Sequence, residues 1–197
     1  AQEGIRSIVA VEINKDFAET FRRNHKKCLV ISEDIGIINF SEVLKNVHSE
    51  RFDLVCGGPP CQGFSTVGKK DEKDKRNSLF WQFLRAVEEI NPRMVLFENV
   101  SGFKKLYKGI AFNTLVSELS DIGYKVKSEI LDAANYGSPQ YRKRTIVVGV
   151  SKGYSFSFPK IIKSKNKNLF EDKYLTIMSA ISDLPKLKVG EEKNKYS

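Results

Sequence analysis

Short apolar segments rich in β-branched residues alternate along this chain with segments of helical periodicity, and this alternation constrains the fold more than any other feature. The first pair is residues 7–11 followed by residues 15–25. Helices of this length connect parallel strands, so the pattern predicts an α/β fold with a mostly parallel, twisted sheet and helices on both faces. Functional residues are then expected in loops beyond the carboxyl ends of the strands.

The same pattern continues to residue 150 and then stops. The predicted strands are residues 7–11, 28–31, 52–56, 94–97, 124–127 and 144–150, and the predicted helices are residues 15–25, 40–49, 79–90 and 112–119. Residues 160–173 are polar and lysine-rich, which is typical of a linker.

Charge, cysteine content and apolar segments restrict the expected binding partners and the expected cellular compartment. Lys and Arg number 33 against 24 Asp and Glu, a net charge of +9, which fits a polyanionic partner as well as a merely lysine-rich surface. Cys28, Cys56 and Cys61 form no disulfide framework and no paired metal-ligand motif. No apolar run reaches membrane-spanning length, and residues 1–4 do not resemble a signal peptide. These features predict a cytoplasmic protein without a metal site or a membrane partner.

A cysteine follows the third predicted strand. That strand breaks at residues 57–60, two glycines and two prolines, and Cys61 stands at the tip of the resulting loop. Parallel folds place reactive groups there, so a thiolate at Cys61 is a candidate nucleophile. A half-buried structural cysteine is the alternative on these residues alone.

Three motifs occur in order: Pro-Cys-Gln-Gly-Phe-Ser at residues 60–65, Glu-Asn-Val at residues 98–100, and Gln-Tyr-Arg-Lys-Arg at residues 140–144. Together they resemble the DNA (cytosine carbon-5) methyltransferases, over about residues 12–150. The resemblance implies a Rossmann-like catalytic domain that moves a methyl group from S-adenosylmethionine to carbon 5 of a flipped-out cytosine in double-stranded DNA. A bacterial restriction–modification enzyme, associated with DNA in the cytoplasm, is the expected type.

The resemblance gives catalytic roles to four residues. Cys61 would add to carbon 6 of the base, and Glu98 would stabilise the charge that builds up at N3. Arg142 and Arg144 would donate to the cytosine O2 and to neighbouring groups. The residues alone leave alternatives: Glu98 as a strand-end acid beside a helix, and the arginines as a basic sheet edge.

The resemblance also assigns binding residues. Glu12 would bind the cofactor ribose and Asp34 the adenine, although isolated acids of this kind can be merely solvated. The expected cofactor contacts are Glu12, Ile13, Asp34, Ile35 and Pro59, and the expected DNA contacts are Pro60, Gln62, Ser65, Gln140, Lys69 and Arg76. The last two belong to the polar segment 68–76, expected either to close over DNA or to be a solvated loop.

Two regions are expected along the chain. Residues 1–153 would form the catalytic domain, lacking its first strand and glycine loop, and residues 154–197 a linker and the start of a target-recognition region. The fold is thus expected to be incomplete at both ends, in a piece of a longer monomeric enzyme or in one chain of a split enzyme.

Two other functions remain open, RNA cytosine methylation and nucleic-acid binding without catalysis. A dinucleotide-dependent oxidoreductase is disfavoured because no Gly-x-Gly-x-x-Gly motif occurs in the 197 residues.

Overall fold

The computed structural model describes residues 4–48, 51–60, 75–164 and 172–190, with residues 75–78 described as backbone only. It confirms an α/β fold, in which strands and helices alternate up to residue 132 and a last strand follows after a 3-10 turn. The elements are β1 (Val9–Val11), α1 (Lys15–Asn24), β2 (Leu29–Ile31), a 3-10 turn (Ile35–Ile37), α2 (Phe40–Asn46), β3 (Leu54–Gly57), α3 (Lys75–Ile90), β4 (Met94–Val100), a 3-10 segment (Phe103–Gly109), α4 (Ile110–Asp121), β5 (Lys125–Asp132), a 3-10 turn (Ala133–Tyr136), β6 (Lys143–Val150), β7 (Lys163–Ser164), β8 (Asp172–Lys173) and α5 (Ile177–Ile181).

The first six strands form two sheets. Strands β1 and β2 pair in parallel, and the second sheet has the order β3-β4-β6-β5. Its β3 and β4 are parallel, whereas β6 is antiparallel to both of its neighbours. The connection from β5 to β6 holds only a 3-10 turn, too short for the crossover that a parallel strand needs. One strand of this sheet therefore runs against the other three.

Helix α3 contributes to two hydrophobic clusters. Its Phe80 and Val87 are fully buried with Phe97 of β4 and with residues of α4, in a cluster of interlocking aromatic rings. Its Ala86 and Ile90 pack with residues of α2, and partly buried side chains of β1, β2 and β3 join this second cluster. Burial of each large side chain contributes about 1.5–3 kcal/mol. Because α3 takes part in both clusters, it connects the two sheets.

Several element boundaries differ from expectation, among them the start of α3, the end of β4 and the end of β5, which reaches Asp132 rather than residue 127. Helix α3 begins at Lys75 rather than at residue 79. The apolar pattern did not predict this first turn, because its residues are polar. Arg76 consequently lies in the first turn of α3, not in the loop expected at residues 68–76. Strand β4 continues through Glu98 to Val100, because these residues keep their ladder partners on β6.

The segment after residue 153 contacts β5 and the 3-10 turn that follows it. The Lys127 ammonium donates to the Phe156 carbonyl at 2.6 Å, and the Tyr174 hydroxyl donates to Asn135 Oδ1 at 2.7 Å. The Ile162 N–H donates to the Asn135 carbonyl at 3.1 Å. Within the described residues, none of the helices combines the length and apolar character needed to span a bilayer.

Candidate active site

The carboxylate of Glu98 is held from the neighbouring strand. Glu98 stands opposite Ile146 in the β4–β6 ladder, which places Arg144 diagonally across on the same face. Arg144 Nε lies 2.7 Å from Glu98 Oε1, and the two side chains are 27% and 38% exposed. Water screens such a pair, so its contribution to stability is at most about 1 kcal/mol. Its clearer effect is to fix the direction of the Glu98 carboxylate.

The loop after β3 passes directly against Glu98. A Cβ atom at Gly58 would lie 3.0 Å from Glu98 Oε2 and 3.1 Å from the Glu98 carbonyl oxygen. At Gly57, a Cβ atom would lie 2.9 Å from two carbons of the Phe83 ring. Both glycines are therefore required by the close approach of this loop to β4 and α3.

Asn99 fastens the same loop to β4. Its side chain is 7% exposed, and Nδ2 donates to the Pro59 carbonyl at 3.0 Å. Its Oδ1 accepts from the Val100 N–H at 2.9 Å. Asn99, the residue after Glu98, therefore holds the backbone at Pro59, two residues before Cys61 in the sequence. Pro60, between them, is exposed.

Thr145 ties the end of β4 to β6. Its hydroxyl, fully buried, donates to the Val100 carbonyl at 3.0 Å. Sequence reasoning assigned no role to either Asn99 or Thr145. The available signals were an amide directly after Glu98 and a hydroxyl at the start of an apolar strand.

Arg142 and Gln140 do not join the Glu98 pair. Both are exposed, and among the described residues the Arg142 guanidinium has no hydrogen bond or ion pair. The Arg142 N–H donates to Asp132 Oδ1 at 3.0 Å, which fixes the backbone at the start of β6. Of the two arginines, the structure brings Arg144 to Glu98.

Several expected site residues cannot be placed. Cys61, Gln62, Ser65 and Lys69 lie outside the described residues, as does the side chain of Arg76.

Two further carboxylates lie at the carboxyl ends of β1 and β2. Val11 pairs with Ile31 in the parallel ladder, so the loops that carry Glu12 and Asp34 leave the sheet side by side. Glu12 Oε1 accepts from the Asn14 N–H, and Asp34 Oδ1 accepts from the Gly36 N–H, each at 2.8 Å. Each carboxylate is thereby oriented, with one oxygen left for other donors.

These residues fit a nucleoside. Among the described residues, Glu12 Oε2 and Asp34 Oδ2 accept no hydrogen bond. Such oxygens can accept from a ribose diol and from an amino group, both of which adenosine provides. Ile13, 65% exposed, and the half-buried Ile35 offer apolar surface beside them for the rings.

Comparison with known proteins identifies relatives along the whole chain. A family model described as C-5 cytosine-specific DNA methylase matches residues 1–197. The Type II methyltransferase M.DdeI of Desulfomicrobium norvegicum is 36% identical over 191 residues, covering 95% of this chain and 45% of that protein. The Type II methyltransferase M1.HphI of Haemophilus parahaemolyticus is 32% identical over 191 residues, covering 95% of this chain and 49% of that protein.

A solved structure shares the fold. It is described as a DNA modification methyltransferase encoded within an E. coli prophage, and it matches with a TM-score of 0.74 and 28% identity, over 93% of this chain and 50% of that one. The chain thus spans about half the length of these three relatives. Because the family model matches residues 1–197, the chain belongs to the C-5 cytosine-specific DNA methylase family.

Proposed function

We propose that the protein methylates carbon 5 of cytosine in double-stranded DNA, using S-adenosylmethionine as the methyl donor. The observation that carries this proposal is the Glu98–Arg144 pair, held at 2.7 Å beside the loop that leads from Gly58 to Cys61. Family membership and the +9 charge support a DNA substrate.

The proposed chemistry begins with activation of the base. Carbon 5 of cytosine is a weak nucleophile, so the Cys61 thiolate adds to carbon 6, forming a C–S bond and moving electrons towards carbon 5 and N3. A hydrogen bond from the Glu98 carboxyl to N3 stabilises that charge. Once carbon 5 has been methylated, its proton passes to solvent, the C–H electron pair re-forms the double bond between carbons 5 and 6, and the C–S bond breaks, which releases Cys61 as a thiolate.

Arg144 has two tasks in this proposal. It orients Glu98 through the contact at Oε1, and its Nη2 can donate to the cytosine O2, while its Nη1 donates to the Lys143 carbonyl at 2.9 Å. The base must leave the duplex to reach these groups, because a stacked cytosine exposes neither ring face. Pro60, Gln62, Ser65, Gln140, Lys69, Arg76 and Arg142 are proposed to contact the flipped base or the DNA around it.

The cofactor is proposed to bind at the β1–β2 edge. When bound, S-adenosylmethionine supplies an electrophilic methyl group on a sulfonium centre. Glu12 would hold the ribose hydroxyls and Asp34 the adenine amino group, with Ile13, Ile35 and Pro59 against the apolar surfaces. The two oriented carboxylates and the apolar surface beside them support this assignment.

The wider setting follows from the relatives. Both sequence relatives are named as Type II methyltransferases, which supports a role in bacterial restriction–modification and a cytoplasmic location. We propose residues 1–153 as the catalytic region, and residues 154–197 as a linker and the start of a target-recognition region. A single monomeric chain is proposed, with an enzyme split between two chains as the alternative.

A covalent trap tests the proposal. The full-length protein is incubated with S-adenosylmethionine and duplex DNA in which 5-fluorocytosine replaces cytosine. Carbon 5 then carries fluorine, which cannot leave as a proton does, so the adduct should persist through denaturing electrophoresis. Cys61→Ser should abolish the adduct, and the matched control Cys28→Ser should retain it.

The outcomes separate the alternatives. An adduct that survives Cys61→Ser would show that another nucleophile acts. Trapping on 5-fluorocytosine RNA but not on DNA would overturn the choice of DNA. Absence of any adduct, together with DNA binding, would favour a non-catalytic relative.

A further inference from the structure

Arg85 of α3 spans the turn that follows Asp34. Its Nη2 donates to the Ile35 carbonyl at 2.7 Å, and its Nη1 donates to the Ile38 carbonyl at 3.1 Å. These two carbonyls bracket the 3-10 turn Ile35–Ile37, of which Asp34 is the N-cap. A single guanidinium therefore holds both ends of the turn.

Arg85 is itself held on several sides. Its Nη1 lies 2.7 Å from Glu89 Oε1, its Nε donates to Gln82 Oε1 at 2.6 Å, and its guanidinium carbon lies 5.2 Å from the centre of the Phe40 ring. The second oxygen of Glu89 accepts from the Phe40 N–H at 3.3 Å. Because the Arg85 and Glu89 side chains are only 29% and 33% exposed, this arrangement is a partly desolvated clamp.

The turn has little support of its own. Its backbone bonds are those from Ile37 to the Asp34 carbonyl at 3.1 Å and from Ile38 to the Ile35 carbonyl at 3.3 Å, and 3-10 bonds are weak. The Gly36 N–H that orients Asp34 Oδ1 belongs to this turn. Movement of the turn would therefore move the Asp34 carboxylate.

We propose that Arg85, fixed by Glu89, is a positioning residue that sets the direction of the Asp34 carboxylate and so the preference of the site for adenine. This rests on the proposed function, in which Asp34 accepts from the adenine amino group. Arg85 does not touch the cofactor in this proposal. Its effect should appear as loss of base selectivity rather than as a general loss of binding.

The test compares two ligands that differ only in the amino group at carbon 6 of the base. S-adenosylhomocysteine has that amino group, which donates to a carboxylate, whereas its 6-deamino analogue, which carries unsubstituted purine, has a hydrogen on carbon 6 and keeps N1 as an acceptor. Binding of each to the full-length protein is measured by isothermal titration calorimetry. We expect the wild type to favour the adenosyl ligand by at least about tenfold, the effect of one charge-assisted hydrogen bond.

Three variants give the expected series. Asp34→Asn should remove the preference, Arg85→Gln should reduce it by about fivefold or more, and Arg85→Lys, which can reach only one carbonyl at a time, should fall between Arg85→Gln and wild type. The double variant Arg85→Gln with Asp34→Asn should show the same ligand ratio as Asp34→Asn alone, because Arg85 acts through Asp34. Arg23→Gln, which removes an exposed arginine of α1, is the matched control and should retain the wild-type ratio.

Each contrary result has its own meaning. If the wild type discriminates and both Arg85 variants keep its ratio while binding both ligands more weakly, Arg85 is structural only and the inference is wrong. If Asp34→Asn keeps the ratio, Asp34 does not face the base, and the inference is also wrong. Failure of the wild type to bind either ligand would instead contradict the proposed cofactor. Thermal melting identifies any variant that does not fold, and the Arg85→Lys variant then decides.

Discussion

The two edges of the molecule that carry acidic site residues are organised differently. At the β1–β2 edge, Glu12 and Asp34 each accept from a backbone N–H two residues further along the chain. At the β4–β6 edge, Glu98 is fixed by Arg144 of another strand and by the close passage of Gly58. At the first edge, the hydrogen bond to each carboxylate comes from nearby in the chain, and Arg85 of α3 holds the turn that supplies it to Asp34. At the second edge, the placement of Glu98 depends wholly on strand register and tertiary packing.

This difference separates binding from chemistry. In the proposed function, the first edge binds a nucleoside, so a displaced carboxylate there changes affinity or selectivity without entering the reaction. In the proposed function, Glu98 stabilises charge on a reacting ring and must be placed more accurately, and contacts from β6 and from the loop after β3 provide this placement. Mutations at the β1–β2 edge should therefore change ligand affinity, whereas mutations at the β4–β6 edge should change turnover.

The largest effect is expected at Glu98. Glu98→Gln keeps the shape but cannot supply the proton to N3, so turnover should fall by about 10³-fold while affinity for S-adenosylhomocysteine changes little. Methyl transfer and calorimetry measure the two quantities. Glu129→Gln, an exposed glutamate on β5, is the control. Equal losses in both measurements would remove the distinction between the edges.

The next effect is expected at Gly58. In Gly58→Ala, the new Cβ atom would meet Glu98 Oε2 at 3.0 Å and the Glu98 carbonyl at 3.1 Å, so the loop or the carboxylate must shift. Turnover should fall by up to about 100-fold. Gly102→Ala is the control, since no atom lies within 4 Å of its added Cβ and its φ is −77°. Unchanged turnover in Gly58→Ala would mean that the approach of this loop to Glu98 is not needed.

The same difference explains what the sequence could predict. Residues at strand ends were identified from apolar periodicity, and Glu98 and Arg144 from motifs, because both signals are local in the chain. The pairing of these two residues could not be predicted, since it requires β6 to insert antiparallel between β4 and β5. An apolar strand does not specify its neighbour or its direction.

Positioning residues were missed for a related reason. Arg85 lies in a helix whose apolar face was predicted, yet its role comes from the Ile35 and Ile38 carbonyls of a distant turn. Asn99 likewise acts through the Pro59 carbonyl. Backbone acceptors leave no trace in the side-chain pattern, so contacts of this kind emerge only from the folded structure.

A smaller effect is expected at the cofactor edge. Glu12→Gln removes the charge from the proposed ribose contact, so affinity for S-adenosylhomocysteine should fall about tenfold while turnover at saturating cofactor stays near wild type. Titration and steady-state kinetics separate the two. The neighbouring exposed acid Glu33 supplies the control variant Glu33→Gln. A loss confined to turnover would place Glu12 with the chemistry instead.

The smallest effect is expected at Thr145, and it concerns stability. Thr145→Val keeps the shape but removes the buried hydroxyl that donates to the Val100 carbonyl at 3.0 Å. Loss of this bond should lower the free energy of unfolding by about 1 kcal/mol, roughly a fivefold change in the unfolding equilibrium. Urea denaturation measures it, with Thr114→Val on the half-buried surface of α4 as the comparison. Affinity for S-adenosylhomocysteine should not change, because the β1–β2 edge does not depend on this contact. A parallel fall in that affinity would show that the two edges are coupled, with α3, which packs against both sheets, as the element to examine.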